Sequence, residues 1–137
     1  MLTPYLNFNG KTAEAMKFYQ SVLGGTLDIK TFGDAKMAKR PEDENRTMHA
    51  TLKNDMLSFM ASDGKPGVDV VMGDNIHMSL AGTDEVKMTD WFNKLSVGGK
   101  VTMPLAKQFW GDTFGMLTDK FGVNWMVNIS SGKPFNV

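Results

Sequence analysis

His49 and His77 are the only imidazoles in this sequence, and cysteine is absent, so acid–base work near neutral pH falls to these two side chains. Each sits in an alternating stretch, Met48-His49-Ala50-Thr51-Leu52 and Ile76-His77-Met78-Ser79-Leu80. Alternation is the signature of a strand with one apolar and one mixed face. The same parity brings Tyr5, Asn7, Ser58, Met60, Asn124, Met126 and Asn128 onto the mixed faces of their own strands. A mixed face of this kind, if inward, is the wall of a cavity that binds a small, partly apolar molecule carrying hydrogen-bonding groups. The alternative is that each imidazole is satisfied by neighbouring hydroxyls and amides. Both readings stay open on the residues alone.

Metal chemistry is not expected. Two imidazoles fall short of the three or four protein ligands of a usual divalent site, and methionine is a soft ligand suited to copper(I). No serine can be tied to a histidine by spacing, so no nucleophile-and-base pair is read. Trp110, beside Gly111 in a loop that approaches a strand, is a candidate pocket wall, with plain packing as the alternative. Asp112 either orients a ligand group or caps its turn, and Asp63, beside Gly64, reads as a turn carboxylate.

The elements that must position these residues follow from periodicity. Leu2–Phe8 alternates as a strand. Thr12 is the expected cap of a helix with the stripe Ala15, Met16, Tyr19, Val22, Leu23, which Gly24-Gly25 ends. Thr26–Phe32 reads as a strand, and Gly33–Arg46 as a charged, solvated loop. Thr47–Leu52 and Met56–Ser62 form a hairpin around Lys53-Asn54-Asp55. After Gly64–Asn75 the order begins again. Ile76–Ala81 is a strand, and Thr83 is the expected cap of a helix with the stripe Met88, Trp91, Phe92, Leu95, ended by Gly98-Gly99. Lys100–Met103 follows as a strand. A closing hairpin, Thr113–Thr118 and Val123–Ile129, turns at Asp119-Lys120-Phe121-Gly122. In its last strand Trp125, Val127 and Ile129 form the apolar face.

The chain is therefore βαβββ twice. At one constant offset Leu6 falls on Leu80, Phe18 on Phe92, Leu23 on Val97 and Gly24-Gly25 on Gly98-Gly99. At a shorter offset Ser58, Met60 and Ser62 fall on Asn124, Met126 and Asn128. Loop lengths that differ between the halves account for the change, and internal duplication is the main organising signal. A single domain over 1–137 is expected, with module one at 1–63, a linker at 64–74, module two at 75–129 and a tail at 130–137.

Fifteen basic and fifteen acidic side chains cancel, so neither nucleic acid nor an anionic membrane is an expected partner. No apolar run approaches a membrane span, and Met-Leu-Thr-Pro-Tyr does not read as a signal peptide. Without cysteine a reducing compartment is compatible, and the cytoplasm is the expected location. Twelve methionines are many for this length and suit the irregular surroundings of a cavity.

The combination of PYLNFNG (Pro4–Gly10), Phe18-Tyr19, the glycine pairs, HATL (His49–Leu52), MASD (Met60–Asp63), FWGDTFG (Phe109–Gly115) and DKFGVNW (Asp119–Trp125) resembles a known group. It is similar to the PhnB-like branch of the glyoxalase/bleomycin-resistance group, the vicinal oxygen chelate superfamily, over about residues 2 to 129. The resemblance implies an α+β fold of two βαβββ modules, forming a U-shaped, mostly antiparallel eight-stranded sheet with helices outside, generally in a homodimer. Members of this branch are sometimes described as 3-demethylubiquinone methyltransferase-like, but the sequence carries no Rossmann-type glycine fingerprint for a nucleoside cofactor. Enzymatic members of the superfamily hold a divalent metal at the starts of the first strands and on the last strands of the modules. Those positions fall here on Thr3 (or Pro4), His77, Met60 and Met126, so a single ligand survives and no tight metal or other cofactor is expected. The expected function is binding of a small molecule at Tyr5, Asn7, His49, Met60, His77, Trp110, Asn124 and Met126. A metal-dependent lyase, isomerase or dioxygenase of the same superfamily is the alternative.

Overall fold

A computed structural model describes residues 1–132, so the expected tail lies largely outside the described residues. The chain divides into two compact units, Met1–Val71 and a second that begins at Met72. Unit one runs β1 (Tyr5–Asn7), α1 (Thr12–Leu23), β2 (Thr26–Thr31), β3 (Thr47–Lys53) and β4 (Ser58–Ser62). Its sheet order is β1-β4-β3-β2, with β1 parallel to β4 and the other pairs antiparallel. Unit two repeats this with β5 (Met78–Gly82), α2 (Glu85–Leu95), β6 (Lys100–Lys107), β7 (Thr113–Thr118) and β8 (Asn124–Ile129), in the order β5-β8-β7-β6. The fold is α+β, two βαβββ modules.

Each helix covers one face of its own sheet. The α1 stripe Ala15, Met16, Tyr19, Val22, Leu23 is buried, as are Ala50, Leu52, Phe59 and Ala61 on β3 and β4. In unit two Met88, Trp91, Phe92 and Leu95 are buried, together with Leu117, Trp125, Val127 and Ile129. Burying each large apolar side chain contributes about 1.5–3 kcal/mol, so these stripes fix which face of each strand turns inward. The other parity, with Met60 on β4 and Asn124, Met126 and Asn128 on β8, is half-buried.

The repeated glycine pairs have a common cause. Gly24 and Gly98 leave their helices at φ of 74° and 75°, where a side chain would be strained. The next glycine then packs against a strand. A Cβ on Gly25 would lie 2.7 Å from the Lys53 carbonyl oxygen, and one on Gly99 would collide with that of Thr118.

Both expected helix caps are corrected. Lys11 rather than Thr12 flanks α1, with no side-chain cap of its own. Thr12 is buried inside the first turn, and its N–H donates to Asp63 Oδ1 at 2.9 Å. Asp63 is thus no simple turn residue: it is buried and also accepts from the Thr47 N–H at 2.8 Å. A carboxylate brought in from the end of β4 satisfies the helix terminus in place of a local hydroxyl. On α2 the cap is Asp84 rather than Thr83, accepting from the Lys87 N–H at 3.0 Å. Strand limits also move. β1 is shorter than Leu2–Phe8, and β6 continues past Met103 to Lys107, with two register shifts between Val101 and Ala106. Pro104 is tolerated there because β6 is the outermost strand. The Gly33–Arg46 loop is not wholly solvated, since Asp43 is buried in a short turn at Pro41–Asp43.

Candidate functional site

The uncovered face of the first sheet centres on His49. Ladder pairing sets Tyr5 beside Met60 and Met60 beside Thr51, so three strands contribute to one row. His49 stands two residues from Thr51 on β3, and both its ring nitrogens meet hydroxyls. Tyr5 Oη lies 3.2 Å from Nδ1, and Thr51 Oγ1 lies 3.2 Å from Nε2. The Tyr5 and His49 rings are 5.7 Å apart, tilted by 44°. A hydroxyl both donates and accepts, so this arrangement accommodates either neutral tautomer and also the imidazolium, which donates at both nitrogens. The imidazole can therefore give or take a proton without losing its supports. Tyr5 is 48% exposed, so one end of the relay is open. Asn7, also exposed, lies further along β1 opposite Ser62, and its amide has no hydrogen bond among the described residues.

The uncovered face of the second sheet has the same geometry and different chemistry. Ser79, Met126 and Met116 line up across β5, β8 and β7, with Met103 next on β6. In the neighbouring row Phe114 pairs with Asn128. Trp110 meets Phe114 at 6.1 Å and 61°, and Phe109 at 4.9 Å and 88°. Trp110 thus leans on this face while remaining 44% exposed. Asn124 is structurally engaged: it accepts from Thr118 Oγ1 at 2.7 Å and donates to the Gly73 carbonyl at 3.1 Å. Asp112 accepts from the Asn128 amide at 3.0 Å and from the Ser131 N–H at 3.4 Å, pinning the Trp110 loop to β8. His77 precedes β5, half-buried, with no hydrogen bond among the described residues.

The structure thus brings Tyr5, Asn7, His49 and Met60 together on one sheet face, and Trp110, Asn124 and Met126 on the other. Residues 1–128 match the family model described as 3-demethylubiquinone-9 3-methyltransferase. The chain belongs to this family, in its PhnB-like branch. Among solved structures it is similar to protein PA1353 from Pseudomonas aeruginosa, with 40% identity, 95% of this chain and 97% of that one covered, and a TM-score of 0.84. It is also similar to a putative 3-demethylubiquinone-9 3-methyltransferase, PhnB protein, from Bacillus cereus, with 27% identity, coverage of 94% and 98%, and a TM-score of 0.78. A glyoxalase/bleomycin resistance protein from Albidiferax ferrireducens T118 shares the fold, at 13% identity, coverage of 98% and 99%, and a TM-score of 0.63. This PhnB-like chain accordingly shares the fold of glyoxalase/bleomycin resistance proteins.

The residues do not fit the groups that these likenesses imply. Among the described residues no group of three or more His, Cys, Asp or Glu is placed to hold a metal ion. The two last-strand positions are the thioethers Met60 and Met126, at equivalent points of their ladders beside Tyr5 and Ser79. Among the described residues a nucleoside methyl donor finds no glycine-rich strand-to-helix turn either. The turn into α1 holds Gly10 alone, and Asp63 already occupies the helix terminus.

Phe114, Met116 and Met103 escaped the sequence reading. The alternation of Thr113–Thr118 contained the signal, but the apolar side chains lie on both parities of that run. Its faces could be told apart only from its pairing with β8.

Proposed function

We propose that this protein binds a small, partly apolar molecule with hydrogen-bonding groups on the uncovered faces of its sheets, without a tightly held metal. The observation that carries this reading is His49, held between two hydroxyls, one of them on Thr51 opposite Met60, on a sheet face turned away from its helix. Tyr5 and His49 are the groups that would meet the polar part of the ligand, with Asn7 beyond them. Met60 offers adaptable apolar surface. The second sheet offers a surface of its own, where Met126 and Trp110 suit apolar parts of a ligand and His77 stands at the strand entrance. Asn124 contributes through its fixed amide.

A fragment screen followed by amide chemical-shift mapping tests this. Hits should move resonances of β1, β3 and β4 around His49, and His49→Ala should weaken them about tenfold or more. Hits that map elsewhere and ignore His49→Ala would refute the placement.

We further propose that the protein works as a cytoplasmic homodimer with neither nucleic acid nor membrane as partner. Support comes from the outermost strand β6, where Val101 and Met103 are each 41% exposed, since apolar strand edges tend to be covered. No helix of the described residues is long and apolar enough to cross a membrane. A clean monomer mass in sedimentation at micromolar concentration would overturn the dimer.

A further inference from the structure

A second site lies in the first unit, beyond the His49 row, and adjoins that sheet face only at Ser62, the partner of Asn7. Where β2 and β4 reach their C-terminal ends, the segments that follow them border a wide-mouthed cavity of about 740 Å³. That volume falls within the range of pockets for small organic ligands. Phe32, Met37, Ala38 and Pro66 give it apolar walls, and Lys39 and Lys65 also line it.

The charges around the cavity are unequal in their commitments. Arg40, a further lining residue, is already bound. Its Nε donates to Asp43 Oδ2 at 2.8 Å, its Nη2 to Oδ1 at 3.2 Å, and Glu42 lies 3.6 Å from Nη1. Because Asp43 is buried, this two-pronged pair braces the loop as a wall and spends the carboxylate on Arg40. The ammonium groups of Lys39 and Lys65 have no ion pair or hydrogen bond among the described residues. Two unneutralised ammonium groups therefore border an apolar hollow. A neutral apolar ligand would leave both charges unused, and a cation would be repelled.

We propose that this cavity binds a small organic anion with an apolar body. The body packs against Phe32, Met37 and Pro66, and the anionic head meets Lys39 and Lys65. An ammonium is a compact point charge rather than a planar fork, so the site selects for charge and length more than for head-group geometry. Binding should weaken as salt rises, because both lysines are exposed.

Sodium octanoate and 1-octanol, titrated into the full-length, isotope-labelled protein, provide the test. Octanoate should shift the amides of Met37 to Arg40 and of Gly64, Lys65 and Gly67, and bind about fivefold to tenfold more tightly than octanol. This margin corresponds to two exposed charge contacts of a few-fold each. In Lys39→Gln/Lys65→Gln the two ligands should bind alike, with an unchanged melting temperature. Ala38→Phe, which fills the hollow, should abolish both. Equal affinity in the wild type, octanoate binding that survives Ala38→Phe, or shifts confined to the sheet faces would overturn the proposal. The last result would leave the His49 site standing, so the two sites fail separately.

Discussion

Where the first sheet sets Tyr5 and Thr51 on either side of Met60, the second sets Ser79 and Met116 on either side of Met126. The ladders correspond strand for strand, and the position of His49 in the first is taken by Phe114 in the second. One duplicated scaffold thus presents a polar, titratable face in one unit and a thioether-rich, aromatic face in the other. The covered faces did not diverge in this way. Each must still bury an apolar stripe under a helix, and a buried polar group there would need a partner. The uncovered faces are free of that demand, so this is where the two halves could specialise.

The hairpin turns show the same divergence under stricter control. Asn54, half-buried, accepts the N–H groups of Met56 and Leu57 at 2.8 and 3.0 Å and donates to the Leu23 carbonyl at 3.2 Å. Asp119, its counterpart, accepts those of Phe121 and Val123 at 2.8 and 3.1 Å and also the Trp125 indole N–H at 2.8 Å. The largest effect is therefore expected from Asp119→Ala. With three donors orphaned around a buried carboxylate, it should lose about 3 kcal/mol or more in urea denaturation. Asn54→Ala should lose about 1 kcal/mol. Equal losses would show that the turns are not differentiated as described.

Next comes the pair Ala50 and Gly115, which occupy corresponding positions opposite Ala61 and Val127. A Cβ on Gly115 would lie 2.8 Å from Phe92 Cε2 and 2.9 Å from the Leu105 Cα. Gly115→Ala should destabilise by about 2 kcal/mol through overpacking. Ala50→Gly should cost about 1 kcal/mol, mainly by loosening the unfolded chain. A stabilising Gly115→Ala would mean that α2 and β6 sit further from β7 than the structure shows.

Exchange at the sheet faces sharpens the functional side. Phe114→His should cost about 1 kcal/mol by removing the aromatic contact with Trp110. His49→Phe should leave stability nearly unchanged and abolish binding of any ligand that requires the imidazole. Both are read by thermal melts alongside shift mapping. The smallest effect is expected from Trp110→Phe, within about 0.5 kcal/mol in stability because the ring is largely outside the core. A ligand that quenches Trp110 emission would still place that ring at the site.

Much of this was legible in the chain. The helix stripes, the glycine pairs, the turn at Asp119 and the two-faced strand Asn124–Ile129 follow from period and turn chemistry, which are local constraints. The side-chain alternation also put His49, Tyr5, Asn7 and Met60 on one parity, because strand geometry leaves a residue only two directions. Local sequence could not decide which distant residue would satisfy a given backbone group. Thr12 and Thr83 look like caps by residue type, yet Asp63, some fifty residues away, holds the first helix, and Asp84 holds the second. Nor could it show that Tyr5 and Thr51 meet the two nitrogens of His49, or that Lys39 and Lys65 border one hollow. Those relations depend on strand order and loop closure, which are set when the sheet assembles and not by any stretch read alone.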